Sequence, residues 1–204
     1  MKNIAAIFFL CLSISSCAQR VSKNEKPPKE CVRLNDEGVK YLMKPSLGGM
    51  NQADTAITFF KEAIHCDSNY IVAFVNLAGA YENKHDFKSE MLVYNKLLSL
   101  TNNYPGFIVQ KAILFEKLDE VDSAKKNYTI AALGYSKKLS MSPNDIDAIK
   151  GLIDIKALTV GKDEAISELN KQIKIHPDIA AKLNDERFFY ESFDRKTMTG
   201  RSDY

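Results

Sequence analysis

The sequence predicts an all-α chain built from stacked helical hairpins, and three observations carry that expectation. The chain resembles itself at an offset of 34 residues. Within the repeating segments apolar side chains recur at i, i+3, i+4 and i+7, the spacing of one helix face. A short polar stretch, Asn83 to Asp86, separates one such face from the next, as a hairpin turn does. Composition agrees: 45% of the 204 residues are hydrophobic and 26% charged, which excludes a wholly disordered chain. Nine Gly, six Pro and no Trp exclude collagen-like or Pro-rich architectures. A formal charge of +2, spread along the sequence, leaves no electrostatic footprint for nucleic acid.

The N-terminus is an address. Lys2 supplies a positive start, and Ile4 to Ile14 form an apolar run of eleven residues. That is shorter than the roughly 20 residues a bilayer-spanning helix needs, but it suits a secretory leader. Ser15 and Ser16 then precede Cys17. Ile14-Ser15-Ser16-Cys17 resembles the bacterial lipobox, in which the cysteine is acylated and becomes the first residue of the mature protein. The alternative is a soluble secreted protein in which Cys17 is incidental. The resemblance implies a signal peptide over residues 1–16 and lipidation of Cys17, with several acyl chains giving a stable membrane anchor. Ala18, rather than an aspartate, implies the outer membrane, and the lack of an acidic run after Cys17 implies its periplasmic side. Residues 17–30, with Pro27-Pro28 and no aromatics, read as a flexible tether reaching at most about 40 Å. Losing the leader leaves 27 basic against 26 acidic side chains, a nearly neutral mature chain.

The repeat itself is dense. Ala56, Glu90 and Ala124 are spaced by 34, as are Phe60, Tyr94 and Tyr128, and Ala63, Leu97 and Ala131. The preceding segments agree, pairing Phe74 with Ile108, Ala78 with Ala112, Tyr81 with Phe115, and Phe87 with Val121. Phe74, Leu77, Ala78 and Tyr81 share one helix face, and Phe87, Met91, Tyr94, Leu97 and Leu98 form the stripe of a second helix. No helix buries such a stripe alone, so stacked neighbours must cover it.

These residues resemble the tetratricopeptide repeat, a 34-residue helix–turn–helix with a W-x2-L-G-x2-Y, A-x3-F and late-Pro pattern. Phe74, Leu77, Ala78, Tyr81 and Tyr94 carry the match in the second unit, where Glu90 replaces the usual small residue. Ile108, Ala112, Phe115, Ala124, Tyr128 and Ala131 carry it in the third. The first unit runs Leu34, Gly38 and Tyr41, then Ala56, Phe60 and Ala63, with an insertion at residues 45–50. The fourth runs Ile149, Leu152 and Ile153, then Ala165, Leu169 and Pro177. Its small residue falls 41 after Ala124, and the seven extra residues are expected to lengthen the preceding helix by two turns. The resemblance covers residues 31–177 and implies a right-handed superhelix of about four stacked repeats. Residues 178–204 are expected to supply a capping helix that starts at Asp185, with Asn184 as its cap, followed by a frayed KTMTGRSDY end.

Chemistry is sparse. His65, His85 and His176 have no ligand partners at metal-binding spacing, so no metal is expected. No G-x-S-x-G, H-E-x-x-H or P-loop is present, and the acidic pairs sit at turns or helix starts, where they suit the helix dipole. The expectation is a chain with no catalytic residue, no cofactor and no small-molecule substrate. In the repeat, Cys31 opens the first helix and Cys66 lies near the end of the antiparallel second. A disulfide between those neighbouring ends competes with a pair of half-buried thiols.

In the family it resembles, first helices line a concave surface that holds ligand segments. That implies a protein-binding groove of Asn35, Val39 and Leu42 from the first unit, with Val75, Gly79, Glu82 and Asn83 from the second. Val109, Ile113 and Glu116 follow from the third, then Lys150 and Asp154 from the fourth. This stripe is apolar in its middle and polar at its edges, and suits a segment presenting apolar side chains. The competing reading packs Val39, Val75, Val109 and Ile113 between helices. The function implied is a lipid-anchored, non-enzymatic scaffold or adaptor that binds another protein at the cell envelope. An immunity or inhibitor lipoprotein that neutralises a toxin or enzyme is the alternative.

Overall fold

The computed structural model describes residues 26–43 and 52–201. The leader, Cys17, most of the tether and the 45–50 insertion therefore lie outside the described residues. Among the described residues the chain is all helical, with no strand. None of these helices is long and apolar enough to cross a membrane. The chain divides into two compact units at Asn103 and Tyr104.

The first unit holds two hairpins. Helices α1 (Lys29–Met43) and α2 (Gln52–Cys66) form one, and α3 (Ile71–Asn83) and α4 (Phe87–Leu100) the other. The columns read from the repeat are its core: Ala56, Phe60, Ala63, Leu77, Ala78 and Leu97 are all buried. Each large apolar side chain so buried contributes about 1.5–3 kcal/mol. Gly38 lets α1 approach α2 closely, because a Cβ there would lie 2.5 Å from the Phe60 ring. The turn after α3 is closed by two backbone bonds: the Asp86 N–H donates to the Tyr81 carbonyl at 3.0 Å, and the His85 N–H to the Glu82 carbonyl at 2.8 Å. This is the Schellman pattern, with His85 in the left-handed region at φ 56°. Asp86 then caps α4 by accepting from the Ser89 N–H at 3.1 Å. Cys31 and Cys66 are joined by a disulfide, their Cα atoms 5.5 Å apart.

The second unit begins with α5 (Pro105–Lys117) and α6 (Val121–Met141), followed by α7 (Ile146–Thr159) and α8 (Lys162–Ile175). Pro105 occupies the first turn of α5, where its missing N–H is harmless. Helix α6 has 21 residues against 14 in α4, so the seven extra residues do lengthen it by two turns. Asp119, 34 residues after His85, takes the same left-handed position at φ 63° and makes the same two turn bonds. Asp145 caps α7 by accepting from the Ala148 N–H at 3.0 Å.

The tail departs from expectation. Instead of one helix from Asp185 it forms a 3-10 turn (Pro177–Ile179) and three five-residue helices: α9 (Ala180–Asn184), α10 (Arg187–Glu191) and α11 (Arg195–Thr199). Asn184 ends α9 rather than capping its successor, and its side-chain oxygen accepts from Arg187 Nε at 2.9 Å. Leu183 and Tyr190 complete a buried cluster with Ile149, Ile153, Ala165 and Leu169, so α9 and α10 do cover the last hairpin. The stretch expected to fray, from Lys196, instead continues a short helix over its described part, with Thr199 buried and Lys196, Thr197 and Gly200 exposed. Asp194 caps α11 and Gly200, at φ 79°, ends it.

Candidate functional site

In the first unit the expected binding residues lie on α1 and α3, which touch. Asn35 is buried, and its side-chain oxygen accepts from Asn76 Nδ2 at 2.8 Å, tying the two helices together. Val39 and Leu42 follow at one-turn intervals on α1 and are half-buried. On α3, Gly79 and Glu82 are half-buried and Asn83 is exposed. A Cβ built on Gly79 meets no heavy atom within 4 Å among the described residues. Among the described residues that leaves open space over this position of α3. Val75, expected in the groove, is instead buried, at 5% exposure.

In the second unit the correction is larger. Val109 and Ile113 on α5 are buried packing side chains. The physical reason is the same at all three positions: burial takes a branched apolar side chain out of water, which is favourable. Glu116, Lys150 and Asp154 do project from first helices, but the chain's own tail has taken them. Lys150 Nζ donates to Glu186 Oε1 at 2.5 Å. The Tyr190 hydroxyl, fully buried, donates to Asp154 Oδ1 at 2.7 Å. Arg195 Nη2 donates to Glu116 Oε2 at 2.5 Å, with the two side chains only 8% and 4% exposed.

The electrostatics follow from that burial. Loss of water pushes the Asp154 carboxyl up to about 6, against the lowering pull of the Tyr190 hydrogen bond and the Lys150 charge. Burial also holds the Tyr190 phenol well above its ordinary range, and the adjacent Asp154 charge adds to it. The Tyr128 phenol on α6 is raised in the same way, by burial first and then by the Glu116 charge.

Glu186, Tyr190 and Arg195 are the residues that reading the sequence missed. Two of them carried a signal. Lys150 and Asp154 are spaced by four, as are Glu186 and Tyr190, so one helical turn of each can pair with one turn of the other. Arg195 carried none, since its carboxylate partner lies 79 residues away. No group of three potential metal ligands occurs among the described residues. His176 is bound to Asn144, its Nδ1 2.8 Å from Asn144 Oδ1.

No family model matches the chain, and no curated protein matches it. Similar solved structures include the first tetratricopeptide-repeat module of Spaghetti (RPAP3) bound to the HSP90 peptide SRMEEVD. The two share 22% identity over 63% of this chain and 91% of that one, with a TM-score of 0.44. A second is the MamA RS-1 ArsTM double mutant, at 18% identity over 86% of this chain and 92% of that one, TM-score 0.44.

Proposed function

We propose that this chain is a non-enzymatic interaction module of the bacterial cell envelope, tethered through Cys17 to the periplasmic side of the outer membrane. It holds a segment of another protein against the α1 and α3 face of its first unit. The observation that carries this reading is the space that the described residues leave over Gly79 on α3, a helix that touches α1 with its half-buried Val39 and Leu42 and that ends in the polar Glu82 and Asn83. An apolar middle with polar ends suits an extended or helical guest presenting apolar side chains. The Cys31–Cys66 bond supports an oxidising compartment, where such bonds persist.

Gly79→Phe tests the site directly, because a Cβ at this position meets no described neighbour and the ring beyond it covers the face a guest would use. The expected result is loss of the partner captured from envelope extract by wild type, with an unchanged circular-dichroism melting curve. Capture at wild-type level by a folded Gly79→Phe variant overturns the site. The identity of the captured protein separates the two classes: a resident assembly or transport subunit marks a scaffold, a toxin an inhibitor.

A further inference from the structure

The second unit contains a buried carboxylate whose counter-charge comes from outside its hairpins. Glu116 projects from the last turn of α5, the Tyr128 hydroxyl from α6 faces it, and the Leu158 carbonyl sits in the last turn of α7. A carboxylate taken out of water needs a cation and donors at fixed angles. One side chain supplies them: Arg195 donates through Nη2 to Glu116 Oε2 at 2.5 Å and through Nε to the Leu158 carbonyl at 2.7 Å. Its Nη1 donates to the Arg201 carbonyl at 3.1 Å. A lysine ammonium lacks the planar fork that reaches both a carboxylate and a carbonyl on different helices.

The segment that delivers Arg195 is short. Helix α11 has five residues, Lys196, Thr197 and Gly200 are exposed, and Asp194 bonds within the segment, to the Lys196 N–H and the Thr197 hydroxyl. Beside the guanidinium a cleft of about 50 Å³ opens between Val121, Lys125 and Thr159. At about 30 Å³ of liquid volume per water it has room for about one or two waters, so some space remains beside the side chain that fills the socket.

We propose that Glu116, the Leu158 carbonyl and the adjoining face of α6 form an arginine socket, which Arg195 fills in cis and which an arginine-bearing segment of a protein partner enters by exchange. The inference rests on reading first-helix faces as binding surfaces, and it gives the second unit its ligand chemistry. In the present state the tail is the occupant, held also by the Arg201–Asp119 ion pair, so the socket is closed to partners until α11 lifts.

Melting of the full chain tests the socket without any partner. Arg195→Ala is expected to lower Tm by several degrees. Low-millimolar methylguanidinium should restore at least half of that loss, while methylammonium at the same concentration restores little. The double variant E116Q/R195A should respond to neither. A labelled peptide of residues 192–201 should bind Arg195→Ala at least tenfold more tightly than wild type, and its arginine-to-alanine counterpart at Arg195 should not. Equal rescue by the two cations, rescue of the double variant, or equal peptide binding by wild type and Arg195→Ala overturns the socket. Should Arg195→Ala not fold, Arg195→Lys, which keeps the charge without the fork, should still melt below wild type, and a wild-type Tm for Arg195→Lys overturns the socket. Failure of Gly79→Phe to abolish capture bears on the first unit alone, so the two results are separable.

Discussion

Asp154 is where single-residue electrostatics have a measurable consequence. Its carboxyl titrates near 3.8 when unfolded and is raised to about 6 in the fold by burial, with Lys150, Glu186 and Tyr190 as its neighbours. The folded state therefore binds the proton more tightly, and this group's contribution to stability falls as pH rises from about 4 to about 6. The full swing is up to about 3 kcal/mol at 1.36 kcal/mol per unit. Asp154→Asn keeps an acceptor for the Tyr190 hydroxyl but removes the titration. Its stability relative to wild type should be near zero at pH 4, grow through the window and level off by pH 7. Melting both proteins across that range checks the prediction, and a flat difference refutes it. Residues of this kind were half legible: Asp154 and Lys150 could be placed on one face from their spacing. That Tyr190 and Glu186 would occupy them could not, because nothing local to either segment reports on the other.

At the scale of the helix, the two glycines of the first unit's inner helices answer to different constraints. Gly38 faces the fully buried Phe60 ring, so the Cβ of Gly38→Ala at 2.5 Å forces a core side chain to move. The expected loss is about 1–3 kcal/mol, outweighing a propensity gain of about 1 kcal/mol. Gly79→Ala meets no described neighbour and should keep that gain. Urea denaturation of the pair should shift the midpoint in opposite directions; shifts of the same sign would remove the distinction between a packed and an open face. Helix starts were the most legible feature of the sequence. Ile71 and Pro105, and Phe87 and Val121, each begin helices 34 residues apart, because the same apolar columns demand the same hairpin. The three tail helices were illegible for the opposite reason. Five residues are too few to show a period, and what holds them is contact with α5, α7 and α8 rather than a face of their own.

For the whole molecule, the fold was far more legible than the site. Core positions recur, and recurrence can be seen in one sequence; the groove residues were assigned from their place in the repeat, and burial then divided them. Val75, Val109 and Ile113 are buried and Glu116, Lys150 and Asp154 are held by the tail, while Val39, Leu42, Gly79 and Glu82 are half-buried and Asn83 is exposed. The proposed address has its own test. Cys17→Ala should move the protein from the membrane to the soluble fraction of lysed cells, and persistence in the membrane fraction rejects acylation as the anchor. The Cys31–Cys66 bond has a topological consequence as well. It closes a covalent ring around the segment that joins α1 to α2, so a single peptide-bond cut by a protease between those cysteines releases nothing. The severed pieces stay attached through sulfur, and the clipped protein parts company only when a reductant opens the ring.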